Sequence, residues 1–343
     1  MDIKEFIKMK SEKLNIDIIG FTDAEPLMRI DDYLTRRKDN SIATEFEEKD
    51  LEKRINPKLT MPNCNSIIVI GLSYNVDYTQ KCNYKIKGFL SKSSWGIDYH
   101  RVLKLKIEEL IKEIKKEIDF EYKYFVDTGP LVERELAYKA GIGYYGKNTN
   151  IINDKYGSFI FLGYILTDIK FNSFDTAIDE ECGDCDLCLR ACPAGALESP
   201  YRLNARKCIS YLTQTKNNID YGLMKKMGIM IYGCDACQKI CPKNKHIRYS
   251  RHSEFIPNIT KGYVDIEELM KMSNREFKEK YGDMAGSWRG KNVLKRNALI
   301  ALGNMKDEGN IEIIYEVIKE ENPFFDAYVK YAINNFLYKS DDG

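Results

Sequence analysis

The sequence lacks any long hydrophobic run. Its two longest apolar stretches are IIVIGL at residues 67–72 and FIFLGYIL at residues 159–166, far short of the roughly 20 apolar residues that a membrane-spanning helix needs. Residues 1–20, MDIKEFIKMKSEKLNIDIIG, mix acids and lysines and contain no apolar signal core. We therefore expect a cytoplasmic protein that does not enter a membrane, with an amphipathic N-terminal helix and two buried strands at the apolar stretches.

An excess of either charge is also absent, since 53 basic side chains nearly balance 52 acidic ones. Any attraction to a polyanion must therefore come from local clusters of basic residues rather than from net charge. With 343 residues, of which 43% are hydrophobic, the chain is long enough for two or three domains.

Three common cofactor motifs are absent from the contexts in which they bind their cofactors. No G-x-G-x-x-G follows a strand, no G-x4-G-K-[ST] loop is present, and no C-x3-C-x2-C triplet occurs. The sequence therefore does not favour nicotinamide-binding, nucleotide-triphosphate-binding or radical-adenosylmethionine proteins.

Cysteine, by contrast, is plentiful, with ten residues. Because the cytoplasm keeps thiols reduced, metal binding is favoured over disulfides. Cys64 and Cys82 stand apart from the others and are expected to be structural. The run C-x2-C-x2-C-x3-C-P begins at Cys182 and ends at Pro193, and it is typical of bacterial ferredoxins that bind two four-iron clusters.

A second, incomplete copy of this run follows, in which Cys208 stands far upstream of the other three cysteines. In ferredoxins of this type the fourth cysteine of each run binds the other cluster, so the two groups interlock. A zinc site, which also uses C-x2-C pairs, is the alternative. We predict two [4Fe-4S] clusters, one bound by Cys182, Cys185, Cys188 and Cys241 and the other by Cys192, Cys208, Cys234 and Cys237.

The segment before the cysteines contains a candidate catalytic carboxylate. YKYFV at 122–126 has the pattern of a strand, and Thr128 and Pro130 suggest the cap and the first-turn proline of a helix that ends at Gly141. Asp127 would then lie at the carboxyl end of a strand, where α/β sheets bind ligands. Simple helix capping is the other interpretation of Asp127.

A glycine-spaced loop, GIGYYGKNTN at 141–150, comes next. Its glycines would let backbone amides approach a bulky ligand, and Lys147 offers a charge for a phosphate or an amide-bearing group. Ordinary turn chemistry is the alternative.

Four features together resemble the epoxyqueuosine reductases: DYH at 98–100, VDTGPLVERELAYKAGIGYYGKNTN at 126–150, GSFIFLG at 157–163 and the interlocked cysteines. The likeness covers nearly the whole chain. It implies an enzyme that reduces the epoxide of epoxyqueuosine, at the wobble position of a tRNA anticodon, to the cyclopentene of queuosine. It also implies cobalamin, as cob(II)alamin, and two [4Fe-4S] clusters that feed it with electrons from an external donor. We expect a monomer.

The resemblance assigns roles to residues near the motifs. The aspartate of the V-D-[ST]-[GA]-P motif, which is the family's proton donor, matches Asp127 and is also a cofactor contact. The family binds its corrinoid without the D-x-H-x-x-G signature, and this chain agrees, because Asp98 and His100 begin such a pattern but Leu103 occupies the glycine position.

The other corrin contacts are less directly indicated. The stretch FLSKSSWGIDYH departs from the family pattern before DYH, so no contact is carried over from it. The remaining predicted cofactor-binding residues are Arg54, Lys147, Asn148, Thr149 and Ser210.

The carboxyl end has a helical pattern. SWRGKNVLKRNALIALGNMKDEGNIEIIYEVIKE at 287–320 is broken at Gly303–Asn304 and near Gly309, and AYVKYAINNFL follows. We predict one HEAT-like repeat of two helices with a closing helix.

Basic residues on this repeat suggest a surface for tRNA. A basic stretch, PKNKHIRYSRH at 242–252, extends it towards the cysteines. An ordinary solvated helix face is the alternative. The predicted tRNA-binding residues are Arg289, Lys291, Lys295 and Arg296.

The expected fold is mixed α/β. It comprises a cobalamin-binding domain at 1–175, a ferredoxin-like double-cluster module at 176–250 and a helical HEAT-like region at 251–343. Two rival functions remain. A reductive dehalogenase-like enzyme would normally carry a twin-arginine export signal, but no apolar core follows Arg36 and Arg37. The second rival is an electron carrier without catalysis.

Overall fold

The computed structural model describes residues 2–337. Among them, no helix combines the length and the apolar character needed to cross a bilayer. The helices are α1 (Ile3–Lys13), α2 (Asp31–Asp39), α3 (Leu51–Ile55), α4 (Tyr99–Ile114), α5 (Glu133–Lys139), α6 (Leu187–Arg190), α7 (Ile209–Leu212), α8 (Tyr221–Lys226), α9 (Ala236–Lys239), α10 (Ile266–Lys271), α11 (Asn274–Tyr281), α12 (Lys291–Met305), α13 (Ile311–Ile318) and α14 (Asp326–Leu337). The strands are β1 (Ile18–Asp23), β2 (Ser66–Ser73), β3 (Lys87–Leu90), β4 (Tyr122–Phe125), β5 (Tyr144–Tyr145), β6 (Ile151–Ile152), β7 (Ile160–Thr167), β8 (Leu197–Ser199), β9 (Arg202–Leu203), β10 (Met230–Tyr232) and β11 (Tyr263–Asp265).

The largest sheet is antiparallel and has the strand order β1-β2-β7-β4. Its central strands, β2 and β7, are the two apolar stretches, so the prediction of buried strands is confirmed. Successive side chains point to opposite faces. Ile68 and Ile70 pack on one face with α1 and α4, whereas Ile67 and Val69 pack on the other with α2, α3 and α5.

The N-terminal helix is confirmed but shorter than the amphipathic pattern suggested. It ends at Lys13, and Ile18–Asp23 forms β1, the edge strand beside β2. The prediction of a strand at 122–126 is also confirmed, since β4 covers four of these residues.

A second sheet links the two halves of the chain. Its central strand, β3, pairs with β10 in parallel and with β11 antiparallel. Leu90 of β3 and Ile231 of β10 share a core with Leu269 and Leu299 of the C-terminal helices. The packing therefore crosses the boundaries predicted at residues 175 and 250, because each of the three predicted regions contributes one strand to this sheet.

The helical carboxyl end differs from the prediction at one of its two breaks. The break predicted at Gly303–Asn304 was wrong, since α12 continues through both residues. Gly303 is tightly packed against α14, where an added Cβ would lie 2.8 Å from the Cα of Ala332. The Asn304 side chain donates to two carbonyls at the end of α8. The second break is confirmed by a short 3-10 turn at Glu308–Asn310.

Two of the four basic residues predicted to face tRNA are buried, so that part of the prediction was wrong. Lys295 and Arg296 have exposed fractions of 1% and 0%. The reason is that α12 is enclosed by its neighbours, and every residue at 293–303 is buried. Arg296 donates from its two Nη atoms to the carbonyls of Thr215 at 2.5 Å and Leu212 at 2.8 Å.

Replacing Arg296 with alanine should therefore destabilise the fold. The variant leaves two buried carbonyls without their donor and removes a large enclosed side chain, which together should lower the free energy of unfolding by about 3 kcal/mol. The measurement is the anaerobic melting temperature. Arg289→Ala serves as the charge-matched control, and an Arg296→Ala variant that melts like the control would contradict the structural role.

Candidate active site and cysteine groups

The loop after β4 holds Asp127 in an unusual backbone conformation. Its φ is +58°, in the left-handed region that few non-glycine residues adopt. The Asp127 N–H donates to the carboxyl group of Glu133 at 2.6 Å. Glu133 is the first residue of α5, so the predicted cap at Thr128 and first-turn proline at Pro130 were wrong. The helix-capping interpretation of Asp127 is wrong for the same reason.

The position of Asp127 also has a different cause from the one expected. β4 is antiparallel to β7 at the edge of its sheet, so the rule for ligands at the carboxyl ends of parallel strands does not apply. Instead, the N-terminal end of α4 lies opposite the end of β4 and brings His100 to Asp127.

His100 lies between two carboxylates. Asp98, the N-cap of α4, accepts the His100 N–H at 3.0 Å and contacts its Nδ1 at 2.7 Å. His100 Nε2 is 3.5 Å from Asp127 Oδ2. Burial lowers the pKa of His100, but its hydrogen bonds to Asp127 and Asp98 outweigh burial and raise the pKa to about 9. His100 is therefore protonated at neutral pH.

The two carboxyl groups beside His100 have opposite pKa shifts. Burial raises the pKa of Asp127, but the hydrogen bond from His100 and its charge lower it overall. Burial and the charge of Asp127 raise the pKa of Glu133 to about 8. At neutral pH, Asp127 is ionised while Glu133 keeps its proton. The Asp127 side chain reaches the surface, with 61% of it exposed, although the surrounding protein partly desolvates its carboxyl group.

Tyr99 forms one wall of the site. Its ring stacks on His100 with a centroid distance of 4.1 Å and on Phe161 at 4.2 Å. Burial raises the pKa of Tyr99 well above its ordinary value, and the charge of Asp127 raises it further. The phenol therefore stays protonated beside the ionised Asp127.

The segment FLSKSSWGIDYH, residues 89–100, contains Tyr99 and also contacts the second cysteine run. The Lys92 N–H donates to Asp235 Oδ2 at 3.0 Å, and Asp235 lies between Cys234 and Cys237. A short connection therefore joins the second cysteine run to α4 and to His100.

The four cysteines predicted for the first cluster lie near one another. Burial raises the pKa of Cys188, and the neighbouring thiols of Cys182 and Cys241 raise it further. Burial also raises the pKa of Cys241, to which Cys182 and Cys185 add. The short helices α6 and α9, each inside one run, pack together and bring Cys241 to the earlier cysteines.

The other four cysteines also form a group. Burial raises the pKa of Cys237 to about 12, with further contributions from Cys208, Cys234 and Cys192. Cys188 of the first group adds to the same shift, so the two groups are neighbours. In residues 2–337, no three His, Cys, Asp or Glu side chains form a group that could hold a single metal ion.

The two isolated cysteines lie apart from these groups. Cys64 is buried and Cys82 is half-buried. Cys64 packs in the core between the large sheet and α5, which agrees with a structural role.

The loop at 146–150 touches both cysteine groups. Lys147 Nζ donates to a carbonyl of the first run, and Asn148 Nδ2 donates to the carbonyl of Cys237 at 3.5 Å. The Thr149 carbonyl accepts from Arg134 of α5 at 3.2 Å. These three predicted cofactor contacts therefore lie between the cysteine groups and the helix that follows Asp127.

The last two predicted cofactor contacts have different surroundings. Arg54 is largely buried, and its Nη1 donates to Glu47 at 2.8 Å. Ser210 is partly exposed and follows Cys208 at the start of α7. Ser210 is thus close to the second cysteine group, whereas the guanidinium of Arg54 is engaged by a carboxylate.

Arg134 connects Asp127 with the second cysteine group. Burial is the largest single influence on the pKa of Asp127 and of Cys208 and raises both, whereas the charge of Arg134 lowers both. Arg134 is itself exposed. The Asp127 carboxylate and the Cys208 thiol therefore both lie within range of the Arg134 charge.

Comparisons with known proteins agree with this organisation. Residues 54–128 match the family model described as epoxyqueuosine reductase QueG, DUF1730, and residues 181–244 match a 4Fe-4S double cluster binding domain. The epoxyqueuosine reductase of Bacillus subtilis (strain 168) is 39% identical over 336 residues, which cover 96% of this chain and 87% of the relative. The chain belongs to the epoxyqueuosine reductase family. It is an oxidoreductase with a mixed α/β fold and a double-cluster domain, and a dehalogenase-like function is not favoured.

Solved structures of epoxyqueuosine reductases have the same fold. A crystal structure with an epoxyqueuosine-modified tRNA-Tyr stem loop is 38% identical, has a TM-score of 0.93 and covers 97% of this chain and 90% of that one. A Bacillus subtilis structure is 37% identical, has a TM-score of 0.91 and gives the same coverage. In that structure the catalytic loop, which carries an aspartate, is swung out of the active site.

Sequence reasoning missed three residues of the site. Tyr99 and Glu133 lie inside motifs typical of the epoxyqueuosine reductases, but their spacing does not separate them from their neighbours. Tyr232 comes from β10, and after burial the charges of Asp127 and Asp98 help raise its pKa. No local pattern connects Tyr232 with Asp127, so only the folded chain reveals it.

Proposed function

We propose that this epoxyqueuosine reductase converts epoxyqueuosine in a tRNA anticodon to queuosine, using cobalamin and two [4Fe-4S] clusters. The observation that carries the proposal is the position of Asp127. It lies between two groups that hold protons, His100 and Glu133, and, like Cys208 of the second cysteine group, it is close enough to Arg134 for that charge to lower its pKa. Protons and electrons would therefore meet at one place.

The reaction requires two electrons and two protons. Both C–O bonds of the oxirane break, a C=C bond forms between its carbons, and the oxygen leaves as water. His100 and Glu133 both carry a proton at neutral pH, because their pKa values are about 9 and about 8. Asp127 is the exposed member of the group, so it would receive a proton from His100 and deliver it to the departing oxygen.

Two interlocked clusters held by the cysteines would pass on the electrons. The proximity of the cysteines supports the ligand sets predicted from the spacing, and an external reductant would charge the clusters. The proposed ligands are Cys182, Cys185, Cys188 and Cys241 for one cluster, and Cys192, Cys208, Cys234 and Cys237 for the other.

Cobalamin fits the polar groups that lie between the cysteine groups and α5. The amide arms of a corrin need hydrogen-bonding partners, which Asn148, Thr149 and Ser210 offer, and Lys147 lies in the same loop. Arg54 would act indirectly, since Glu47 holds its guanidinium. When bound, cobalamin would supply a reduced metal centre that opens the oxirane. Tyr99 and Asp127 would line its substrate side and orient the epoxide oxygen.

Turnover should fall as the pH rises from about 8 to above 9. Glu133 and His100 lose their protons in this range, so the logarithm of the rate should decline with a limiting slope of −2. Glu133→Gln keeps an acceptor for the Asp127 N–H but holds no ionisable proton. This variant should lower turnover at least about tenfold and reduce the slope to −1. An unchanged slope of −2 in Glu133→Gln would remove Glu133 from the proton supply.

The proposed macromolecular partner is the anticodon arm of a tRNA. The solved relative with a modified stem loop supports it. Of the four basic residues predicted on the carboxyl-terminal repeat, Arg289 and Lys291 remain partly exposed. Helices α12, α13 and α14 would form the HEAT-like support. The division at residues 175 and 250 stays a prediction.

The basic stretch at 242–252 contributes less than predicted to such a surface. Arg251 and His252 both bind the buried carboxylate of Asp17, at 3.0 and 2.7 Å. His252 is itself only 3% exposed. These two side chains therefore anchor the loop after the cysteines to the N-terminal region.

The function is tested by anaerobic incubation of the reconstituted protein with cobalamin, a low-potential reductant and tRNA that carries epoxyqueuosine. Nucleoside mass analysis should show a loss of 16 mass units, the mass of one oxygen atom. Protein that contains its clusters but takes up no cobalamin and produces no queuosine would instead support an electron carrier.

A further inference from the structure

A pair of exposed aromatic rings lies close to the Asp127 site. Phe46 and Trp288 are 42% and 56% exposed, and their ring centroids are 5.8 Å apart. The guanidinium of Arg289 lies 5.2 Å from the Phe46 ring and 4.5 Å from the Trp288 ring. Phe46, Trp288 and Arg289 are called the aromatic platform below.

The exposure of Phe46 is enforced by the residues on either side of it. Glu45 accepts hydrogen bonds from Tyr211 at 2.8 Å and Thr215 at 2.7 Å. Glu47 binds Arg37 at 2.7 Å and Arg54 at 2.8 Å. Because both neighbours are fixed, the ring between them is held at the surface. Exposed apolar side chains that cluster, as Phe46 and Trp288 do, are a feature of binding surfaces.

Hydrogen bonds also hold the other two residues of the aromatic platform, Arg289 and Trp288, in place. The Arg289 Nε donates to the Gln214 carbonyl at 2.6 Å, so its guanidinium is held in place over the rings. The Trp288 indole N–H donates to the Tyr232 hydroxyl at 3.1 Å. A preorganised surface of this kind loses little conformational entropy when it binds a partner.

Two observations place the aromatic platform at the edge of the active site. Tyr232 is buried, and the charges of Asp127 and Asp98 contribute to the rise of its pKa, so the hydroxyl that holds Trp288 is close to both carboxylates. In addition, Phe46 lines an open cavity of about 630 Å³ that is also lined by residues 128–130, directly after Asp127.

The chemistry of the aromatic platform suits a nucleobase. Aromatic rings and arginine planes are the side chains on which unstacked bases stack in single-stranded loops. An enzyme that draws one nucleotide into a pocket must also accommodate the bases that lose their stacking partner. Lys49 and Lys53 line the same cavity and are exposed, so cations lie close by for the phosphates.

We propose that Phe46, Trp288 and Arg289 form a stacking site for one unstacked base of the RNA, next to the nucleotide that enters the Asp127 cleft. The proposal rests on the proposed function, because it assumes an RNA substrate. It adds a binding site formed by the loop at residues 44–48 and the turn before α12.

The test uses reconstituted holoenzyme under anaerobic conditions and an unmodified anticodon stem loop. 2-Aminopurine replaces a loop base beside the wobble position. Trp288→Ala should weaken binding about 10- to 100-fold and abolish the quenching of 2-aminopurine fluorescence that the parent protein causes. Trp288→Phe should restore most of both signals, because a ring remains available for stacking. Tyr122→Ala is the control, since Tyr122 is 37% exposed and has the Lys115 ammonium 5.0 Å from its ring.

Several outcomes would overturn the stacking site. Trp288→Ala with normal affinity and quenching would do so, as would equal losses in Trp288→Ala and Trp288→Phe, which would indicate a packing role. An equal loss of affinity for a fully paired duplex would indicate a general charge effect. A loss of cobalamin with intact RNA binding would assign Phe46 and Trp288 to the cofactor. These readouts do not depend on turnover, so failure of the enzymatic function would be seen separately.

Discussion

Replacing Asp127 with asparagine should remove nearly all turnover while leaving the iron and cobalamin contents unchanged. Asparagine has the same shape and is one of the residues that tolerate the left-handed conformation seen at this position, φ +58°. It cannot accept the proton of His100 or pass it on. Loss of a general acid typically costs about 10²- to 10⁴-fold in rate, so the turnover of epoxyqueuosine-bearing tRNA should fall by at least about 100-fold.

Asp127→Asn should also change the pKa of His100. Without the carboxylate, His100 loses one of the two partners that raise its pKa, so its pKa should decrease towards the ordinary value. Residual turnover should then fall at a lower pH than in the parent protein. Asp119→Asn, at a fully exposed position, is the matched control. An Asp127→Asn enzyme with near-normal turnover would exclude Asp127 as the proton donor.

The sequence predicts the core of the fold better than its turns. The apolar stretches that form β2 and β7 are long and apolar enough to favour buried strands. The start of α5 was mispredicted because the local signals at Thr128 and Pro130 are overridden by tertiary contacts. Gly129 lies so close to the large sheet that an added Cβ would be 2.1 Å from the Tyr164 hydroxyl oxygen, and the Glu133 carboxyl holds the loop from the other side.

Contacts between distant parts of the chain also limit what the sequence predicts about the candidate site. Cysteine spacing is a local property, so the two groups could be predicted before their geometry was known. Solvent exposure and proton affinity are not local. Lys295 and Arg296 have the charges of an RNA-binding face, but the enclosure of α12 removes them from the surface. The proton on Glu133 depends on its burial and on the charge of Asp127, neither of which is encoded in a motif.

Cys208 provides a sharp test of the interlocked clusters, because it is the ligand that does not belong to a run. Burial raises its pKa, and the neighbouring Cys192 raises it further. Cys208 also contributes to the raised pKa of Cys234 and Cys237. It is therefore close to three cysteines that come from both runs.

Cys208→Ala should remove one cluster and keep the other. The iron content should fall from about eight to about four atoms per chain, and turnover should cease because the path for electrons is broken. Anaerobic iron analysis and the electron paramagnetic resonance spectrum of the reduced protein measure the two effects.

The control for this variant is Cys82→Ala. Cys82 is half-buried and lies outside both groups, so its replacement should preserve the full iron content. If Cys208→Ala instead kept all of its iron, Cys208 would not be a ligand, and the second cluster would need another donor. Loss of zinc in place of iron would mean that the runs hold a tetrahedral metal site. The zinc result would leave the protons at Asp127 without a source of electrons beside them.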